Sequence, residues 1–458
     1  MSVFPLFFRP AVRVQRRRSP SQDHRLRLSA LALGALLCLL PGTGRAADPA
    51  PADAPLGGSL TLAEAERLAL SRYPTLAQSA AEIEAARARA VYAGQLQDPQ
   101  LRLGVEAVPI DSFALNRESM TQVVVGVTQM FPPTGRLALN RRSAEQATAA
   151  ARARREDLAA QIRRDVRRAW LELFYQERAL ATLRVNRELY DQVVRAALAQ
   201  YRTGRAQEAD VLKAQLERDE LLDQEQALLA ERDAARSRLA RLLSLPETAL
   251  TLPEALPPLP PLPARQALLA QVAQHPQAAA MEAEIRAREL DVAAARRDYY
   301  PEFGLEASYG YRAARADGQK LPDMVSAGLV MSLPLFTAKR QDARLQESQA
   351  QARALRYEHD DMLLQLREEV NSRYAAYERL RQRVKVLEDT LLPEARQTVD
   401  SSLAAYRVGR LDMTGVLRAR QSSLDYALRL WRARTDLAGA AADLHYLAAT
   451  AAETEHEH

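Results

Sequence analysis

Cysteine is almost absent from this chain of 458 residues. The single cysteine, Cys38, lies in a short apolar run, and the leucine before it is too large for a lipoprotein cleavage site, so lipidation is not expected. Arginines precede this run and small residues follow it up to Ala46, an order that predicts a secretory signal peptide at 1–46. The exported chain would have no cysteine, which excludes disulfides and thiolate metal sites.

Long apolar runs and the motifs of common enzymes are missing as well. After the signal peptide, no stretch approaches the ~18 consecutive apolar residues of a transmembrane helix. The patterns of phosphate-binding loops, dinucleotide-binding folds, zinc proteases and serine hydrolases do not occur. The 63 basic and 58 acidic residues nearly balance and alternate along the chain, which does not indicate nucleic acid binding. We expect an exported protein without enzymatic activity and without a cofactor.

An internal repeat organises the rest of the chain. Pro74 and Pro132 recur 202 residues later as Pro276 and Pro334, and "LAQYRTGRAQEADVLKA" is matched further on by "LAAYRVGRLDMTGVLRA". The chain is therefore one unit, duplicated. The predicted parts are a flexible segment at 47–59, a first copy at 60–244, an extended proline-rich linker at 245–263, a second copy at 264–450 and a disordered tail at 451–458.

Each copy contains two stretches in which apolar residues alternate with small, charged or hydroxylated residues, the period of a β-strand. They lie at about 100–108, 121–131, 302–311 and 324–334. Such strands are typical of a transmembrane β-barrel. A half-buried sheet in a soluble domain is the alternative, but the helical segments are too rich in alanine, arginine and glutamate to cover it. Four strands cannot close a barrel, so two or three copies of the chain would share one.

The remaining segments are predicted to be long helical hairpins at 136–243 and 338–450. Each begins with an arm of about 65 residues, which corresponds to about 95 Å of helix. In the first arm, Val166, Leu173 and Leu180 are seven residues apart. The many alanines beside them indicate that helices pack side by side on more than one flank. The fold class is therefore mainly α with transmembrane β, in a duplicated order of helix, two strands, long helix, turn and helix.

Glycine and proline mark the points where these helices reverse or begin. Gly204 and Gly409 can adopt the positive φ of a tight reversal, which places hairpin tips at 201–206 and 406–411. Pro393 interrupts the second long helix, either as simple curvature for packing or as a hinge that lets the second hairpin swing outward.

The strand-to-helix junction is a separate motif, "QMFPPTGRL". Pro132 and Pro133 end the strand because proline has no N–H to donate, and Gly135 permits the turn into the helix. The second copy has Pro334 alone at this point and no glycine.

With these elements in this order and with two Tyr-Arg-x-Gly-Arg tips, the mature chain resembles the TolC-type outer-membrane efflux family along nearly its whole length. The junction is also similar to that of the branch serving heavy-metal pumps of the resistance-nodulation-division type. The resemblance implies a homotrimer in the Gram-negative outer membrane, with a twelve-stranded β-barrel continuing into a twelve-helix periplasmic α-barrel. It also implies a passive exit duct of a tripartite efflux system, which docks on a periplasmic adaptor and through it on an inner-membrane pump.

Three functions remain open at the level of the sequence. The junction favours export of heavy-metal cations. The same type of channel could instead serve drug efflux or type I protein secretion, because the pore itself selects weakly. A periplasmic coiled-coil scaffold that forms no channel is a further alternative, although it would not need alternating strands with an apolar face.

The resemblance assigns roles to residues near the hairpin tips. Those expected to dock the adaptor are Tyr201, Arg202, Gly204, Arg205, Tyr406, Arg407, Gly409 and Arg410. Family members often carry an acidic residue six positions past the tip glycine, at the constricted end of the tunnel. The first copy has Asp210 there and the second has Gly415, while Lys213 and Arg418 are basic in both copies. Asp412 could replace part of the missing acidic charge.

Histidine offers only a weak metal site. His456 and His458 stand beside carboxylates in the tail and could hold a divalent cation. A disordered, solvated terminus is the simpler interpretation of this tail. His275 and His359 have no evident partners in the sequence and are expected at the surface.

Overall fold

The computed structural model describes residues 59–258 and 261–449. The predicted signal peptide, all but the last residue of the 47–59 segment, and the tail with His456 and His458 lie outside these ranges.

Each half of the chain contains the predicted series of helices and strands. The first half consists of α1 (Leu62–Arg72), α2 (Pro74–Ala93), β1 (Gln100–Glu106), β2 (Gln122–Phe131), α3 (Arg136–Arg202) and α4 (Glu208–Leu243). The second consists of α5 (Arg265–Gln271), α6 (Pro276–Arg297), β3 (Glu302–Tyr311), β4 (Met324–Ser332), α7 (Gln341–Val386), a π-helical turn (Leu387–Leu391), α8 (Leu392–Arg407) and α9 (Met413–Leu447). The predicted fold class, mainly α with four strands in a duplicated order, is confirmed.

The four strands form one antiparallel sheet in the order β1-β2-β3-β4. The central pair, β2 and β3, joins the two halves of the chain. Because side chains alternate between the faces of a strand, the register places the alternating apolar residues of all four strands on one face. One row of this face, for example, contains Leu103, Val125, Tyr309 and Val325. We call this surface the apolar face and the opposite surface the polar face.

Alanine-rich helices form the rest of the fold. The long helix α3 packs against α1, α2, α4, α6 and α9, and α7 packs against α6 and α9. The heptad positions Val166, Leu173 and Leu180 are all buried, so the predicted packing of α3 is confirmed. Among the described residues, no helix has both the length and the apolar character required to cross a membrane.

The largest core cluster surrounds Trp170 in the middle of α3. Trp170 is fully buried, stacks on Phe174 with ring centroids 5.3 Å apart, and donates from Nε1 to the carbonyl of Leu60 at 3.0 Å. Leucines from α1, the end of α4 and the linker complete this cluster. A second cluster lies between the two hairpins near their tips, and a third joins α5, α6, α7 and the end of α9.

The proline-rich linker differs in part from the expectation of an extended spacer. It contains a 3₁₀ turn at Glu247–Ala249. Leu250 is fully buried in the cluster around Trp170, and the carbonyl of Thr251 accepts a hydrogen bond from the Leu60 amide at 2.6 Å. Proline prevents a regular helix here, but it leaves the intervening leucines free to pack. The linker is therefore a structural strap across the helices.

Candidate functional site

Both hairpin tips end their first helix in the same backbone motif. At the first tip, Arg205 N donates to Gln200 O at 2.9 Å and Gly204 N donates to Tyr201 O at 2.9 Å. The second tip repeats these bonds one copy later, from Arg410 and Gly409. This pair of bonds is the Schellman motif, which requires a left-handed residue after the helix. Gly204 and Gly409 have φ of 71° and 74°, so the positive φ predicted for the glycines at the reversals is confirmed.

The charged side chains of the tips, at 201–206 and 406–411, are all cations. Arg202, Arg205, Arg407 and Arg410 are exposed, and none forms an ion pair within the described part of the chain. The two tip tyrosines differ, since Tyr201 is 45% exposed and Tyr406 is 7% exposed. Burial raises the pKa of Tyr406, whose hydroxyl has no hydrogen-bond partner among the described residues. The tips therefore present arginines and one of the two tyrosines.

The acidic residues next to the tips serve as helix caps. Asp210 Oδ2 accepts from Gln207 N at 3.2 Å at the start of α4. Asp412 Oδ1 accepts from Gly415 N at 3.0 Å at the start of α9. Carboxylates favour helix N-termini because the exposed amides and the helix dipole are positive there. Both acids thus have a structural role, whatever their part in a constriction.

The presence of glycine in place of an acid at position 415 has a local steric reason. A Cβ at this position would lie 2.9 Å from the side chain of Leu411, which leaves no room for an acid without rearrangement. Nearby, Lys213 Nζ approaches Thr414 Oγ1 at 3.4 Å, so the two hairpins meet through a basic residue. Arg418 is exposed on α9. The cations expected from the sequence are therefore present close to the tips.

The first strand-to-helix junction turns at Gly135, which has φ of 84° and precedes the first residue of α3. Arg136 N donates to Pro133 O at 3.0 Å. The side chain of Arg136 pairs with Asp298 at 2.7 Å, and Arg344 pairs with the same carboxylate at 3.4 Å. The junctions of the two copies are thus joined by one partly buried acid, a contact that the sequence analysis did not find.

The second junction, at Pro334, makes its turn without glycine. Leu335 N donates to Leu333 O at 2.9 Å across the proline, and further turns precede α7. Pro393 lies in the first turn of α8, directly after the π-helical turn. Such a turn carries an extra residue and is a known cause of helix bending. The hinge at Pro393 stays a prediction.

Sequence reasoning also missed the ion pairs that buried acids form with arginines of neighbouring helices. Glu225 of α4 is bound by Arg184 at 2.9 Å and Arg187 at 2.8 Å from α3. Asp443 of α9 is bound by Arg168 of α3 and by Arg373 of α7, the latter at 3.2 Å. In the sequence these acids look like any residue of a solvated helix face. Their partners lie on other helices, so only the packing identifies them.

The placement of two histidines at the surface is wrong. His275 is 1% exposed. Its Nε2 lies 3.3 Å from Tyr446 O, and its Nδ1 accepts from Gln277 N at 3.3 Å as the cap of α6. His359 is largely buried as well, with its Nδ1 3.7 Å from Asp360. The helix-capping role of His275, next to Pro276, was the available sequence signal.

The buried His275 is expected to make stability dependent on pH. Burial lowers the pKa of His275 below 6.5, and Asp157, Glu369 and the Tyr446 carbonyl oppose this only in part. The unfolded chain therefore takes up the proton first, and stability present above pH 6.5 is lost as the pH falls, by at most about 1.4 kcal/mol per pH unit. As the pH falls from about 7.5 to about 5.5, the thermal stability of the wild type should decrease more than that of His275→Gln. Equal losses in both proteins would contradict this prediction.

No group of three or more histidine, cysteine, aspartate and glutamate side chains within 59–258 and 261–449 is arranged to hold a metal ion.

Known proteins resemble this chain in sequence and in fold. The family model described as outer membrane efflux protein matches residues 66–245 and 268–450. The outer membrane efflux protein BepC of Brucella suis biovar 1 (strain 1330) is 26% identical over 274 residues, which cover 57% of this chain and 58% of that protein. The match thus spans less than two thirds of the length of this relative.

Solved structures of outer-membrane proteins share the fold. The outer membrane protein VceC of Vibrio cholerae matches with a TM-score of 0.71 at 19% identity, over 85% of this chain and 96% of its own. The outer-membrane channel OprN matches with a TM-score of 0.72 at 21% identity, over 84% and 89%. CusC, whose structures concern transmembrane channel formation, matches with 0.74 at 17% identity, over 86% and 92%.

These matches agree with the resemblance seen in the sequence and with the expectation that the protein is not an enzyme. The family model covers both copies of the repeat, including the tips and both junctions. Residues that match the model make up most of the chain, so the chain belongs to the outer membrane efflux protein family.

Proposed function

We propose that three copies of this chain form an outer-membrane channel that acts as the passive exit duct of a tripartite efflux system. The observation that carries the proposal is the sheet. Large apolar side chains on its apolar face are exposed to solvent on all four strands, for example Leu101, Val125 and Leu329. In addition, β1 and β4 each have one edge without a partner strand in the described chain. Open edges within a lipid bilayer cost several kcal/mol per unsatisfied group, so neighbouring copies are needed to close the sheet.

The number three comes from the resemblance to TolC-type channels. Four strands per chain give twelve in a trimer, within the range of known outer-membrane barrels. Two copies would give the smallest barrels, whose interior is filled by side chains. A duct for solutes needs a wider interior, which also favours the trimer.

The decisive experiment is purification in detergent followed by reconstitution into a planar lipid bilayer. A trimer by light scattering and discrete single-channel conductance are the expected results. A monomer without conductance would support the periplasmic coiled-coil scaffold instead. Because this test needs neither adaptor nor pump, it examines the channel alone.

We propose that the hairpin tips dock a periplasmic adaptor. Support comes from four exposed arginines that form no ion pair with any residue of 59–258 or 261–449 and would suit an acidic or carbonyl-rich surface. Reversing two charges in each chain, with Arg202→Glu and Arg407→Glu, is expected to weaken adaptor binding by about fivefold to thirtyfold, at about 0.5–1 kcal/mol per exposed pair. Co-purification of the adaptor from cells at increasing salt measures this.

The matched control for the tips is Arg238→Glu. Arg238 is also exposed on a helical hairpin and has no ion pair within the described ranges, but it lies far along α4 from the tip. Conductance of both variants in a bilayer should equal that of the wild type. Unchanged adaptor binding by the tip variant would place the docking surface elsewhere.

For the cargo we propose heavy-metal cations, supported by the likeness of "QMFPPTGRL" to the junction of the heavy-metal branch. Drug efflux or type I protein secretion through the same channel is the second candidate, because a passive duct takes its cargo from the pump. Deletion of the gene, followed by growth on Zn²⁺, Co²⁺, Cd²⁺, Cu⁺ and a panel of drugs, separates them. Sensitivity to drugs alone would overturn the metal assignment.

A further inference from the structure

The polar face of the sheet carries only four charged side chains, and their surroundings differ. They are Arg102, Glu106, Glu302 and Glu306. Arg102 and Glu106 form an ion pair at 3.0 Å, and Gln122 Nε2 donates to the second oxygen of Glu106 at 3.2 Å. This pair therefore contributes no net charge to the face.

Glu302 lies at the helical end of the sheet, where basic residues surround it. It lines a cavity together with Arg136, Arg340 and Arg344. The lining of this cavity holds these three arginines against two carboxylates, Glu302 and Asp298, so a cation is present for each acid. Its charge is thus offset by the junction.

Glu306 is the remaining charge on the polar face. Its partners in register are Thr128 and Gly328. Its Oε2 lies 3.8 Å from the position that a Cβ of Gly328 would take, so the carboxylate extends over a residue without a side chain. Glu306 is exposed and has no ion pair within the described residues. Arg102 is two strands away, about 10 Å, and is already paired.

We propose that Glu306 is a charge-selectivity determinant of the channel and that it favours the passage of cations, whether metal or organic. The inference rests on the proposed function, in which the polar face lines the duct. Three copies would place three uncompensated carboxylates at one level of the barrel. Near the tips, by contrast, the cations Lys213 and Arg418 accompany the acids Asp210 and Asp412, so the preference for cations would come from the sheet.

Salt concentration should control the size of this effect. The Debye length is about 10 Å at 0.1 M and about 3 Å at 1 M, so at high salt a wall charge acts only on ions very near it. At low salt its field extends further into the lumen. A preference caused by Glu306 must therefore be strongest in dilute salt and weaken as salt increases.

The test is the reversal potential of single channels under a KCl gradient, in dilute and in concentrated solution. In dilute KCl, Glu306→Gln is expected to lower the ratio of cation to anion permeability by about threefold, from the Coulomb energy of such charges in water. Glu306→Asp keeps the charge and should retain the preference. Glu254→Gln removes an exposed carboxylate from the linker and should change nothing.

The outcomes separate this inference from the proposed function. If purified protein forms no channels, the proposed function fails. If channels form and Glu306→Gln has the reversal potential of the wild type in dilute KCl, the channel stands and the role of Glu306 is overturned. A loss of selectivity in Glu306→Asp equal to that in Glu306→Gln would also overturn it, since the charge would not be the cause.

Discussion

Replacing Trp170 with alanine is expected to lower the free energy of unfolding by about 3–5 kcal/mol, the cost of removing a large buried aromatic side chain. Trp170 is 0% exposed and stands at the centre of the cluster that joins α1, α3, α4 and the linker. The substitution removes the stack on Phe174 and the hydrogen bond to Leu60 O. It therefore weakens the packing of the linker against the helices as well as the packing between the helices.

Two further variants make the Trp170 result specific. Trp170→Phe keeps most of the apolar volume but loses the hydrogen bond, so about half of the loss or less is expected. Val185→Ala on the same helix removes a side chain that is 59% exposed and should cost less than about 1 kcal/mol. Denaturant midpoints of the purified proteins measure all three. A loss of less than about 1 kcal/mol for Trp170→Ala would contradict the central place of this cluster.

The sequence predicted the features that depend on local patterns. The tip glycines could be placed because a reversal with positive φ requires a residue without a Cβ, as Gly204 and Gly409 show. The apolar face could be placed because strand periodicity is fixed by geometry. Heptad spacing likewise identified three buried residues of α3, Val166, Leu173 and Leu180.

Features that depend on contacts between distant segments could not be predicted. Glu225 and Asp443 are acids on alanine-rich helices, and nothing in their neighbourhood in the sequence distinguishes them from solvated residues. His275 is buried because α6 begins against the end of α9, where it contacts Tyr446, 171 residues later in the sequence. The packing of the linker leucines was not predicted, because the prolines between them indicated an extended spacer. Helices rich in alanine and arginine can pack against one another in many arrangements, and only the folded structure shows which arrangement is formed.

Val125→Arg is expected to abolish most membrane insertion, because a cation at the centre of the lipid-facing side of a barrel costs about 2–4 kcal/mol per chain. Val125 lies in the middle of the apolar face, in register with Leu103 on one side and Tyr309 on the other. In the proposed trimer three such arginines would stand at one level in the bilayer. The fraction of protein that folds as a trimer in lipid vesicles measures the effect.

Ser308→Arg is the matched control, because Ser308 lies on the adjacent row but on the polar face. Gly126 lies beside it, with Ser308 Cβ only 3.1 Å from the position of an added Cβ, so a longer side chain at 308 can extend over the glycine on the polar face. Its expected cost is below about 1 kcal/mol, since lumen positions of barrels tolerate charge and mainly change selectivity. Equal damage from both arginines would mean that both faces of the sheet are covered by protein. In that case the sheet would not be a membrane wall, and the half-buried sheet considered at the level of the sequence would become the better description.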